Sequence, residues 1–237
     1  MKKTFVTLIS LIILCSVKGQ IDFDYHRDYK SLLKQSQDSL SVYYYPKLLE
    51  RFNRIDSTLT DLDMIALQIG FTSYPNYKPY HDLDTERDIL NLIYKSNYEE
   101  AILKCNEFLI TNPVNFTANM EKGFAYMKLE KDSARFYREK FMMILNSIIA
   151  SGDGSLDKPF FVLSPTDGQT LITHIFGGSI GLMGSRDDPN GYFLDILEML
   201  KEDEESVTLY FHINHAKEKM FNKEDLKKMN EIIDELE

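Results

Sequence analysis

Apolar side chains recur every three to four residues along most of the chain, and that period predicts helices. Leu48, Leu49, Phe52 and Ile55 form one such stripe. Pro46 opens it, because a first helical turn does not use the N–H that proline lacks. Asp56-Ser57-Thr58 closes it. Thr60 is a cap for a second helix, with Asp61 and Asp63 in its first turn, Met64, Ile65, Leu67 and Ile69 inside, and Gly70 as its stop. Residues 71–83 are an extended connector rich in tyrosine and proline. Three more stripes follow: Ile89, Leu90, Leu92 and Ile93 over 85–94; Ile102, Cys105, Phe108 and Leu109 from Tyr98 to Thr111; and Met120, Phe124, Met127 and Leu129 from about Phe116. Pro113 pushes Asn112 out of the helical region between the second and third. The longest stripe, Phe141, Ile144, Leu145, Ile148 and Ile149, predicts a helix over 136–149 that ends in the tight turn Ser151-Gly152-Asp153-Gly154.

After Gly154 the period shortens. The run Pro159 to Leu163 predicts a buried strand, and Thr166-Asp167 caps a short helix over 168–175. Residues 177–189 are a glycine-rich loop. Val207, Leu209, Phe211 and Ile213 alternate with Thr208, Tyr210 and His212, which is a strand pattern. Residues 192–200 carry no clean period and fit helix or strand; pairing with 207–213 across the acidic turn 201–206 favours strand. Asn222 caps a last helix with Leu226, Met229, Ile232, Ile233 and Leu236 as its stripe. Residues 20–42 are a polar leader, loosely helical, that docks late. The pattern therefore predicts a mainly helical α+β protein: a helical array over 43–154 and a small C-terminal antiparallel β/α module over 155–237.

The N-terminus changes the address. Lys2 and Lys3 precede an apolar run, 5–17, that is too short to span a bilayer. Val17-Lys18-Gly19 presents small residues at the two positions that a signal peptidase reads, so 1–19 is a signal peptide cleaved after Gly19. Leu14 before Cys15 is bulkier than a lipobox accepts, which ranks a lipoprotein lower. The expected destination is the periplasm or the outside of a Gram-negative bacterium. Removal of Lys2, Lys3 and Lys18 takes the net charge from −10 to −13. Such an acidic surface argues against nucleic acid and against anionic membranes, and no membrane span is expected in the mature chain. That chain keeps one cysteine, Cys105, which reads as a small buried hydrophobe with no disulfide partner.

Two resemblances follow. Tyr98, Ala101 and Pro113, then Gly123, Ala125 and Tyr126, resemble the spacing of the tetratricopeptide repeat over about one and a half repeats. Small residues there allow two helices to approach closely. Three such repeats are needed to stand alone, so the pair must pack on the rest of the chain. More broadly, the run Tyr44-Tyr45-Pro46-Lys47-Leu48-Leu49-Glu50-Arg51-Phe52 carries a second likeness. Asp56-Ser57, Leu59-Thr60, Gly70-Phe71-Thr72, Tyr77-Lys78-Pro79-Tyr80, the Ser151–Gly154 turn and Tyr210-Phe211 continue it. Together they resemble the bacterial family DUF4919. That resemblance implies a mostly helical exported protein with a small α+β part, and no activity.

Candidate chemistry is sparse. Gly177-Gly178-Ser179-Ile180-Gly181 fits the G-x-S-x-G string of a nucleophile elbow, with Asp187, Asp195, His212 and His215 following in hydrolase order. An elbow needs a strand before and a helix after the serine, on a parallel sheet, and the upstream chain reads as helices. His212 and His215 at a strand end point to opposite faces, so no metal is assigned. Asp153-Gly154-Ser155-Leu156-Asp157 starts like a calcium loop but has Lys158 where glycine is needed. Tyrosines offer large contact area at little entropic cost, so Tyr44, Tyr45, Tyr74, Tyr77 and Tyr80 are the binding candidates. The sequence thus points to an interaction module for a protein or peptide, with no catalytic residue and no cofactor. A serine hydrolase using Ser179 and a structural or assembly subunit are the alternatives; the oligomeric state is open.

Overall fold

The computed structural model describes residues 21–202 and 205–220. The predicted signal peptide and the helix expected after Asn222 lie outside the described residues. Tyr25, Tyr29 and Leu32, spaced one turn apart, drive the first helix, α1 (Tyr25–Ser36), against the third. Asp24 caps it by accepting from the Arg27 N–H. The polar leader is therefore a core element, and its tyrosines supply the apolar face.

Helix α2 (Tyr45–Asn53) begins with Pro46 in its first turn, and α3 (Asp61–Phe71) begins at a reciprocal capping box between Thr60 and Asp63. Every residue from Met64 to Phe71 is buried, as befits a helix apolar on all sides. Helix α3 is the central post, packed by α1, α2 and the long helix α7 (Ser133–Ser151). In the chain between α3 and α7 come α4 (Leu83–Tyr94), α5 (Tyr98–Thr111) and α6 (Phe116–Lys128), which pack on one another through a small cluster of Ile89, Cys105, Phe108 and Ala118, with α6 against α7. Burial pushes the Cys105 thiol up to about 12, so it is a neutral packing group. Gly123 lies so close to α7 that a Cβ there would sit 3.2 Å from the Arg138 backbone nitrogen.

The C-terminal part is a four-stranded sheet of β1 (Phe160–Phe161), β2 (Ser179–Asp187), β3 (Phe193–Leu200) and β4 (Val207–His212), in the order β1-β4-β3-β2. The β3–β4 pairing forms as the alternation predicts. Two expectations are corrected. The sheet is mixed rather than antiparallel, because β1 pairs parallel with β4. The loop expected over 177–189 contains strand β2, whose side chains are half-buried or exposed throughout. Its backbone pairing to β3 makes the strand, with a bulge between Ile180 and Met183, so side-chain alternation carried no signal. Before it, α8 (Pro165–Thr170) is capped by Ser164 and Asp167, and one π-helical turn follows over Leu171–Ile175. Helix α9 (Asn214–Met220) leaves β4 directly.

One core runs through both parts. Phe52, Ile65, Leu67 and Ile148 from the helices join Phe161, Phe211 and Ile213 from the sheet side. The Ser151–Gly154 turn links the two. The N–H groups of Asp153 and Gly154 both donate to the Lys158 carbonyl at 3.0 Å. A Cβ on Gly152 would lie 2.4 Å from the Lys158 oxygen and 2.5 Å from that of Pro159. Backbone atoms cannot rotate away, so Gly152→Ala is expected to cost about 3 kcal/mol, the upper end of overpacking penalties. The urea midpoint checks this; an unchanged midpoint would mean that the turn opens freely.

Candidate functional site

The sheet face that meets α1 gathers the titratable side chains. Phe211 faces α8, where its ring approaches Gly168. His212, the next residue, points to the opposite face, as strand geometry requires. There it stacks on Tyr25, with ring centroids 4.4 Å apart and planes 12° from parallel. His26, in the first turn of α1, stands edge-on to His212 at 5.1 Å and edge-on to Tyr192 at 4.7 Å. Its Nε2 lies 2.9 Å from Oδ2 of Asp188, at the turn between β2 and β3. The other oxygen of Asp188 accepts from the N–H groups of Asn190 at 2.8 Å and Tyr192 at 2.9 Å. Donor atoms of His26, Asp188 and His212 all lie within 4.8 Å of one another. Burial, and then the neighbouring His26, bring His212 down to about 4, so its imidazole is neutral near pH 7.

His26 and His212 also line a cavity of about 310 Å³, together with Asp24, Gly152, Lys158 and Pro159. Below it His215 is fully packed: its Nδ1 is 3.1 Å from the Tyr25 hydroxyl, and its ring lies against Tyr29, Tyr77 and Phe161. Burial lowers His215 to about 3, a neutral core imidazole. The two histidines three apart both contact Tyr25, His212 by stacking and His215 at its hydroxyl.

The five candidate tyrosines divide. Tyr45 and Tyr77 are buried and leave the list of surface residues. Tyr45 packs on Phe71 and Tyr74, and the Tyr77 hydroxyl donates to the Leu163 carbonyl at 2.6 Å, which staples the connector to the sheet side. Tyr80 is half-buried beside the core. Tyr44 and Tyr74 remain at the surface, where they line a shallow depression of about 310 Å³ with Ser36, Gln37, Ser73 and Pro75. Ser179 opens β2 opposite Leu200, and the chain after it continues as strand, so the strand–turn–helix of an elbow does not form. Asp153 spends its carboxylate on the Ser155 N–H at 2.9 Å, closing the turn by itself.

Sequence reading missed a second cluster. Glu86 of α4 and Asp167 of α8 are both buried, around a gap of about 20 Å³. Glu86 accepts from Asn115 at 2.5 Å and from the Thr166 and Ser164 hydroxyls. Asp167 Oδ2 accepts from the N–H groups of Leu163 at 3.0 Å and Ser164 at 2.9 Å, while its Oδ1 has no partner among the described residues. Burial raises both acids, and Glu86 adds to the rise at Asp167. As helix-start acids they look solvated in the sequence. Likewise His26 sits in a polar segment and Asp188 in a glycine-rich one, with nothing local to join them to His212.

A helical array closed by a small mixed sheet defines a class by architecture rather than by reaction. The chain belongs to the family described as a domain of unknown function, DUF4919, whose profile matches residues 30–222. That span includes Asp188, His212 and all five tyrosines, and starts after His26. No curated protein and no solved structure matches the chain.

Proposed function

We propose that this is an exported, non-catalytic interaction protein that docks a protein or peptide on the face around Tyr44 and Tyr74. One observation carries this reading: apolar side chains are exposed in the segment that leads into Tyr44. Leu40 is 93 % exposed, Val42 67 % and Tyr74 37 %, and Tyr44 beside them is half-buried. A connector that leaves two aliphatic side chains in water in the few residues before Tyr44 fits a hot-spot cluster waiting for a partner. The acidic mature chain favours a basic one. No helix among the described residues is long and apolar enough to cross a membrane.

The test is a pull-down from native cells with the mature chain from Gln20 as bait, beside a Tyr44→Ala/Tyr74→Ala variant. A stoichiometric partner captured by the first and lost by the second is expected. Loss of two hot-spot tyrosines at about 2 kcal/mol each corresponds to several hundred-fold in affinity. A partner retained by the variant at equal affinity would move the docking face elsewhere. Circular dichroism should show that the variant remains folded, although its thermal midpoint falls somewhat because Tyr74 packs on Tyr45.

A further inference from the structure

We propose that His26, Asp188 and His212 form a binding site for a divalent transition cation of the zinc class. Three elements deliver the ligands: the first turn of α1, the turn between β2 and β3, and the last residue of β4. With zinc bonds of about 2.0–2.1 Å, tetrahedral geometry places ligand atoms about 3.3 Å apart. The donors here are already within 4.8 Å of one another. His26 has the freedom to close the difference, since its side chain is 29 % exposed whereas His212 is fixed in its stack on Tyr25.

The donor set narrows the cation. Two imidazoles and one carboxylate suit zinc and its transition-metal neighbours; calcium and magnesium require sets made of oxygen. The outer contacts are those of an oriented ligand. Asp188 is held through Oδ1 by two backbone N–H groups, which aims Oδ2 at His26. The rings are also short of partners. Nδ1 of His26 and Nδ1 of His212 are buried with no hydrogen-bond partner among the described residues, although buried polar atoms are ordinarily satisfied. A cation gives the His212 ring a polar neighbour, while His26 already has Asp188 at its Nε2. Finally, His26 and His212 line the cavity of about 310 Å³. A cation between them keeps a face on that space. Three protein ligands with an open position are the pattern of a zinc that binds water or a small ligand, rather than of a closed structural site. This site is separate from the Tyr44–Tyr74 face and stands without it.

The experiment titrates the chelator-treated full chain with Zn2+ by calorimetry, and with Co2+ by visible absorption. One saturable equivalent per chain is expected, with the intense d–d bands of low-coordinate Co2+. Asp188→Asn and His26→Ala should each weaken binding by roughly 100-fold, at least the loss seen on disturbing an outer contact, and should bleach the bands. His26 and Asp188 are used because loss of buried His212 invites misfolding; circular dichroism of both variants should match wild type. His81→Ala/His174→Ala, which removes two exposed histidines, should bind as wild type does. Absence of saturable uptake by the wild-type chain, or uptake equal in wild type and both ligand variants, overturns the site. In that case His26 and Asp188 are an ordinary histidine–carboxylate contact at 2.9 Å.

Discussion

Phe161→Ala is expected to lower the unfolding free energy by about 3–5 kcal/mol, the range for deleting a buried phenylalanine. Phe161 is fully buried, and its neighbours come from both ends of the chain. Phe23 and Tyr25 flank its ring at 6.0 Å, and His215 lies 5.0 Å away. Its N–H donates to the Ser151 hydroxyl at 2.8 Å, at the end of α7. Removing the ring therefore hollows the seam between the helices and the sheet. The rest cannot collapse into the gap, because Phe161 is held in register by β4. Urea unfolding followed by far-UV dichroism and by tyrosine fluorescence is the measurement. Both probes should give one coincident transition, before and after substitution, because a single core serves both parts. A loss below about 1 kcal/mol, or two separated transitions, would show that the C-terminal module is an independent unit, against this packing.

Asp167→Asn is expected to flatten the dependence of stability on pH. Both Glu86 and Asp167 hold protons more tightly in the folded protein than an unfolded carboxyl does near pH 4. The folded state then binds protons that the unfolded state has released. An acid raised in this way contributes fully below the unfolded value, and its contribution is lost as pH rises toward the folded one. Wild-type stability should thus fall by up to about 1.4 kcal/mol per pH unit, per raised group, from about pH 5 upward. An asparagine at 167 can still accept from Leu163 and Ser164, and it carries no charge beside Glu86. Stability curves of variant and wild type should converge in acid and separate above neutrality, with the variant the more stable. Parallel curves across the range would show that the pair does not titrate between the two states.

Local signals were sufficient for most helices. Thr60 with Asp63 starts α3, Pro46 starts α2, and Pro113 separates α5 from α6, because caps and proline act within a turn or two of chain. The α1 signal was present as well. Tyr25, Tyr29 and Leu32 stand at i, i+4 and i+7, and become a stripe once tyrosine counts as apolar. The choice of strand for 192–200 needed its partner, since a run of mixed apolar residues fits either conformation until a ladder is formed. Strand β2 had no side-chain signal at all; its glycines and polar residues are tolerated at the edge, where only backbone pairing decides.

The sites divide along the same line. The surface pair Tyr44 and Tyr74 was legible as residue types, but its separation from buried Tyr45 and Tyr77 was not. Burial depends on which face of a helix meets the core. By itself the sequence determined the helical periods, their caps, the closing turn at Ser151–Gly154 and the acidic charge, all properties of neighbours in the chain. Only the tertiary structure decided that His26, Asp188 and His212 meet, and that Glu86 and Asp167 share one buried pocket. Those contacts join residues far apart in sequence, and they exist because Tyr25 of α1 stacks on His212 of the sheet and Glu86 of α4 bonds to Ser164 and Thr166 at the start of α8, where no local preference reaches.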